Sequence, residues 1–251
     1  TFMGWSTKPM QSVSPQYEAE EKITVNGNVD LYAVVFNRTT ETDLTEDQLP
    51  QVDIYKYKQV IFVGDSRTEF MENVLTGMGE SVTKNVKFVC SAGKGLDWFT
   101  TTGWAQLYSI VQHDSNSILS KKTAVIFNFG VNDLSKSADY AEYYNWIAPQ
   151  LKSKGCELYF MSVNPVNRLM LPNAGRADRS EAAVRSFNQY MKANLSSAYT
   201  YIDMYSYLKS TGYSFASDHY GTGTVDDGLH YTTRTYKRIF AKCMDSLRVP
   251  A

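Results

Sequence analysis

From residue 57 onward the chain alternates between short runs of β-forming apolar residues and longer stretches of helical periodicity, and this alternation restricts the available folds more than any other feature. The runs lie at 60–63, 86–90, 124–129, 158–163 and 201–202. Most are apolar at consecutive rather than alternate positions, as in strands buried on both faces. Between them, "SEAAVRSFNQYMKANL" places Val184, Phe187, Met191 and Leu195 on one helical stripe behind Ser180, a residue suited to cap a helix. "TTRTYKRIFAKCMDSL" does the same with Tyr236, Ile239, Phe240, Cys243 and Leu247. The pattern predicts an α/β fold of three layers, with a central, mostly parallel five-stranded sheet and helices on each side. In open sheets of this kind, ligands sit beyond the carboxyl ends of the strands.

The residues just past the strands are therefore the ones to inspect. The first run ends in "QVIFVGDSRTEF", which puts Ser66 at a strand-to-helix break; the second is followed by Ser91-Ala92-Gly93-Lys94-Gly95 and the third by Gly130-Val131-Asn132-Asp133. After the fifth, ahead of the last helix, comes "DDGLHYT" with Asp227 and His230. A serine hydroxyl is a weak nucleophile near neutral pH and needs a base within hydrogen-bond reach, itself held in one tautomer by a third group. The chain has three histidines, and His113 and His219 lack neighbours as suggestive as those of His230. Asp227, three residues earlier across a glycine, can fold back onto the imidazole; the adjacent Asp226, or a carbonyl oxygen, is the alternative orienter. Ser66 also suits a plain helix cap, and Asn132 a plain turn.

Composition narrows the function classes. With 251 residues, 43% apolar and 20% charged, the chain can build one sizeable core. A net charge of -1 provides no broad basic surface for nucleic acid, and no stretch approaches the ~20 apolar residues of a membrane span. Three scattered cysteines, Cys90, Cys156 and Cys243, suit buried thiols better than a disulfide framework or metal site, although one disulfide is open to them. No carboxylate–histidine cluster has metal-ligand spacing, so neither metal nor cofactor is expected. The chain opens at Thr1 with no signal-peptide pattern, so a processed or trimmed chain is expected.

The front of the chain reads differently. Residues 1–37 hold β-type runs, "KITV" and "DLYAVVF", around the turn signal Asn26-Gly27-Asn28, and we expect a separate β-rich segment there. Polar, threonine-rich residues 38–56 read as a linker, leaving 57–251 as the main domain.

Gly-Asp-Ser first, glycine second, Gly-x-Asn-Asp third and Asp-x-x-His last, in that order and each at a strand-to-helix junction, resemble the SGNH hydrolases, the GDSL-type lipase/acylhydrolase superfamily. The resemblance implies a flavodoxin-like sheet, Ser66 as nucleophile, His230 as base and Asp227 as its orienter. It further implies an oxyanion hole from Ser66, Gly95 and Asn132, with Gly93 the other glycine open to that role. Arg67, where leucine is common in the family, reads as a substrate contact, as do Gly93, Trp98 and His219; packing under the second loop is the alternative for Trp98. Residues 4–36 resemble the closing part of an internalin-type B-repeat of bacterial surface proteins, through Trp5, Gly27 and "LYAVVF"; an extra hairpin on the main domain is the alternative. Together these imply an extracellular or cell-surface serine esterase acting on small acyl groups, acetyl foremost, on a carbohydrate or cell-wall glycan. An acyltransferase with the same triad and a non-catalytic binding module are the competing readings.

Overall fold

The structure, a computed structural model, describes residues 1–54, 56–114, 121–171, 179–218 and 220–247, leaving aside the side chains of His113 and Asp114. A two-stranded antiparallel sheet comes first, β1 (Phe2–Ser6) with β2 (Tyr32–Val35). The main sheet follows, with strands β3 (Tyr57–Gly64), β4 (Val86–Cys90), β5 (Lys122–Asn128), β6 (Cys156–Met161) and β7 (Tyr199–Ile202). Its order is β4-β3-β5-β6-β7 and every pairing is parallel. This is the flavodoxin-like order, whose switch point lies between the first and third strands of the sheet, here β3 and β5.

Why the strand centres are apolar at consecutive positions is visible in their two faces. Val60 and Phe62 of β3, Ala124 and Ile126 of β5 and Met161 of β6 pack on one side. There they meet α1 (Ser66–Thr76), α7 (Met204–Thr211) and α8 (Thr233–Ser246), through Phe70, Leu208, Tyr236 and Phe240 among others. Ile61, Val63, Val125, Phe127 and Phe160 face the other side, against α4 (Trp104–Asp114), α5 (Ser137–Lys152) and α6 (Glu181–Asn194). The remaining α-helices among the described residues, α2 (Glu80–Thr83) and α3 (Leu96–Trp98), are about one turn each. Full burial of a Phe or Ile contributes about 1.5–3 kcal/mol, so both faces are needed to hold the sheet. The predicted stripes are the buried ones: Val184, Phe187 and Met191 on α6, and Tyr236, Ile239, Phe240 and Cys243 on α8. Ser180 caps α6 by accepting from the Ala183 N–H at 3.1 Å. All three cysteines are free thiols, Cys90 only half-buried.

The front of the chain differs from the reading above in two respects. "KITV" forms no strand, whereas Phe2–Ser6 does. The isolated run has β-propensity but no neighbour to pair with, and propensity of that kind is realised only in a ladder. Second, residues 1–56 share the core of the rest: Met3, Val34, Phe36, Leu49 and Val52 belong to the apolar cluster that holds α1 and α8. Lys209 of α7 is 5% exposed, donates to the Met3 carbonyl at 2.7 Å and pairs with Glu18 at 2.8 Å and Glu181 at 2.7 Å. Glu41, in the expected linker, is buried; it accepts from Thr232 Oγ1 at 3.0 Å and from Thr235, and pairs with Arg238 at 3.2 Å. Polar composition concealed a strap across α8.

Candidate active site

β3 ends at Gly64, and a Cβ there would lie 2.0 Å from Thr68 Oγ1 and 3.0 Å from the Asn128 carbonyl, so only glycine lets α1 start this close to the sheet. Asp65 caps that helix, accepting from the Arg67 N–H at 3.0 Å. Ser66 is therefore the first helical residue and not the cap, which leaves its hydroxyl for another partner. That partner is His230, whose Nε2 is 2.9 Å from Ser66 Oγ. On the other side of the ring, Nδ1 is 2.6 Å from Asp227 Oδ2. A carboxylate only accepts, so Nδ1 carries the proton and Nε2 offers its lone pair to the serine. The second oxygen of Asp227 accepts from the Leu229 and His230 backbone N–H groups, both at 2.8 Å. Burial works against ionising Asp227, but these hydrogen bonds and the imidazole hold its carboxyl below the usual range. Asp226 turns elsewhere, accepting from Gly228 N–H at 2.7 Å.

Phe70, one turn along α1 from Ser66, stacks on the imidazole with centroids 4.3 Å apart. Arg67 corrects an expectation. It is 2% exposed and faces inward: Nε donates to the Leu229 carbonyl at 2.9 Å, and Nη1 and Nη2 donate to those of Asn164 and Pro165, each at 2.8 Å. The guanidinium also lies 5.1 Å from the centre of the Tyr231 ring. It clamps the serine helix to the histidine loop and offers a substrate no surface. Asp65 is wholly buried beside it, and burial pushes its carboxyl up to about 6.

Across the switch point, the loops after β4 and β5 are tied together. Asn132 Nδ2 donates to the Lys94 carbonyl at 2.7 Å. Asp133 accepts from the Leu96 N–H at 2.9 Å and from the Tyr140 hydroxyl at 2.7 Å. Gly95 lies directly against that carboxylate, where a Cβ would come within 2.3 Å of Asp133 Oδ2. Gly93, at the loop tip, has φ +70° and open space around it. Trp98 packs beneath the loop, 6.0 Å from the Phe129 ring centre and against Gly103, which leaves it half-buried under the loop; His219 lies outside the described residues. A groove of about 520 Å³ opens beside Asn132, bounded by Leu134, Ser135, Arg179 and Ser186. Sequence reading passed over Phe70, legible as the i+4 neighbour of Ser66, and Arg179, which has no local signal.

Among the described residues no group of three His, Cys, Asp or Glu side chains is placed to hold a metal ion, and no helix is long and apolar enough to cross a membrane.

Sheet and family together define an ester-cleaving hydrolase built on a flavodoxin-like core. Residues 60–243 match the model of the GDSL-like Lipase/Acylhydrolase family, and the chain belongs to that family. Among solved structures, a candidate SGNH hydrolase from Slackia heliotrinireducens is 14% identical, covering 76% of this chain and 100% of its own, with a TM-score of 0.54; at that identity it shows the fold alone. A candidate platelet activating factor from Streptococcus pneumonia (16% identity, 78% and 86% coverage, TM-score 0.49) and an acetyl xylan esterase, AlAXEase (12%, 76% and 100%, 0.48), are also similar. No curated protein matches the chain.

Proposed function

We propose that the protein is a serine esterase that removes small acyl groups, acetyl foremost, from a carbohydrate or cell-wall glycan outside the cell. The observation that carries the reading is the unbroken line from Ser66 Oγ through both imidazole nitrogens of His230 to Asp227, with separations of 2.9 and 2.6 Å. In this reading Ser66 Oγ attacks the ester carbonyl carbon as Nε2 takes its proton, and Asp227 stabilises the imidazolium that forms. The carbonyl π pair moves to oxygen, and the Ser66 and Gly95 N–H groups with Asn132 Nδ2 receive the resulting charge. Collapse expels the alcohol, which takes the proton from His230; water then repeats the sequence and releases the acid.

The groove beside Asn132 mixes the Ser135 and Ser186 hydroxyls, the Asn132 amide, the Asp133 carboxylate and the Arg179 guanidinium with apolar Val131, Leu134 and Ala183, so an alcohol portion there would meet polar and apolar groups alike. Burial of Arg67 withdraws one support for a polar substrate. The extracellular, glycan-directed part of the reading rests on the resemblance of residues 4–36 to a surface repeat, through which cell-wall association would arise.

The test is hydrolysis of short- and long-chain aryl esters and of acetylated sugars by the parent and Ser66→Ala proteins. Release of acetate by the parent, with activity at background in Ser66→Ala, is the expected result. Unchanged activity in the variant removes Ser66 from the chemistry; acylated glycan in place of free acid would make the protein a transferase.

A further inference from the structure

An asparagine amide stabilises an oxyanion only if its nitrogen, not its oxygen, faces the developing charge, and the two ends are nearly the same size and shape. Something must therefore distinguish them. On one side of Asn132 is the Lys94 carbonyl, which only accepts and takes a hydrogen bond from Nδ2 at 2.7 Å. On the other is Arg179, which only donates: its Nη2 gives a hydrogen bond to Asn132 Oδ1 at 2.8 Å. Turning the amide over would set Oδ1 against a carbonyl and the NH₂ against a guanidinium, so both contacts would become repulsive together.

Arg179 is well placed to enforce this. It is 9% exposed, at the edge of the groove, and its Nε donates to the Val131 carbonyl at 2.6 Å. Val131 immediately precedes Asn132, so the planar fork grips the backbone and the side chain of the same turn.

We propose that Arg179 is a positioning residue that locks the Asn132 amide with its second N–H toward the substrate carbonyl oxygen. This rests on the esterase reading above. It acts through Asn132 and touches no reacting atom, and this gives it a signature that general support of the fold does not have. The test is a double-mutant cycle on an aryl acetate, with Arg179→Met, Asn132→Ala and the double variant, and with melting temperatures measured alongside. Arg179→Met is expected to lower kcat about tenfold with KM within about twofold, and Asn132→Ala on the order of 100-fold. The double variant should be no slower than Asn132→Ala alone, because once the amide is gone there is nothing left to orient.

Losses that multiply in the double variant, or an unchanged kcat in Arg179→Met, would overturn the proposal. Should Arg179→Met melt below the assay temperature, Arg179→Lys takes its place in the cycle: it keeps the charge but lacks the two-point fork, and the same non-additivity decides. Ser66→Ala is assayed in parallel. Activity surviving there overturns the esterase reading and this proposal with it, whereas an inactive Ser66→Ala beside an additive cycle overturns the role of Arg179 alone.

Discussion

Replacing Arg67 by methionine tests whether the residue beside the serine serves the architecture or the substrate. Methionine keeps the unbranched stem and removes three donors to main-chain carbonyls, those of Leu229, Asn164 and Pro165. The Pro165 carbonyl keeps the hydroxyl of Tyr231 as a partner, so two acceptors are left without this donor. An unpaired buried acceptor costs about 1–3 kcal/mol, giving roughly 2–6 kcal/mol for the pair. That is a large fraction of the ~5–15 kcal/mol by which a typical domain is stable. For a chain of this size it corresponds to a fall in melting temperature of roughly 5–20 °C. The Leu229 carbonyl belongs to the peptide that leads into His230, so loosening it also displaces the base. Scanning calorimetry and kcat on an aryl acetate below the variant's transition measure the two effects. A melting temperature within a degree of the parent's, accompanied by a higher KM alone, would refute the clamp and return Arg67 to the substrate.

The two glycines of the second loop should separate cleanly. Gly95→Ala forces the Asp133 carboxylate away from a Cβ 2.3 Å from it and is expected to lower kcat more than tenfold, whereas Gly93→Ala places its methyl in open space at φ +70° and costs about 1 kcal/mol of stability with little change in rate. Kinetics and urea melts of both variants check this. Glu41→Ala leaves Arg238 without its buried partner and should cost about 3–5 kcal/mol in a urea melt, showing that the front strap is part of the fold. The Asp227 carboxyl is held below its usual value of 3.8 in the folded protein. Its contribution to stability is therefore present above that pH and is lost as pH falls through the folded value; Asp227→Asn should flatten the acid limb of an unfolding-versus-pH curve and lower kcat by on the order of 10³–10⁴.

The main sheet and its helices were legible because burial on both faces writes consecutive apolar runs, and burial on one side of a helix writes stripes such as Val184, Phe187 and Met191. The Ser66 side of the site was legible for a related reason, since the loops after β3, β4 and β5 leave one edge of a parallel sheet; His230 reaches that edge from the loop between α7 and α8, and what pointed to it was the Asp227–His230 spacing ahead of the last helix. What escaped depended on contacts between segments far apart in sequence. Arg67 is adjacent to the serine, but only the crossing of the loops carrying Asn164 and Leu229 turns it inward. Arg179 is 47 residues from Asn132 and stands in a polar stretch that signals nothing. Glu41 read as linker because a buried ion pair and a solvated one have the same composition. Ser66 and Asp65 could both have capped α1, and the choice between them is settled by the Asp65 side chain reaching Arg67 N–H.

The central claim is that the Ser66 hydroxyl is made nucleophilic by His230. Its most direct measurement is the rate and site of labelling by a fluorophosphonate, followed by intact mass and peptide mapping, in the parent and in His230→Gln. One adduct per chain, on the peptide bearing Ser66, forming at least about 100-fold more slowly in the variant, is what this arrangement predicts. Labelling at another residue, or at the same rate without the imidazole, would contradict it.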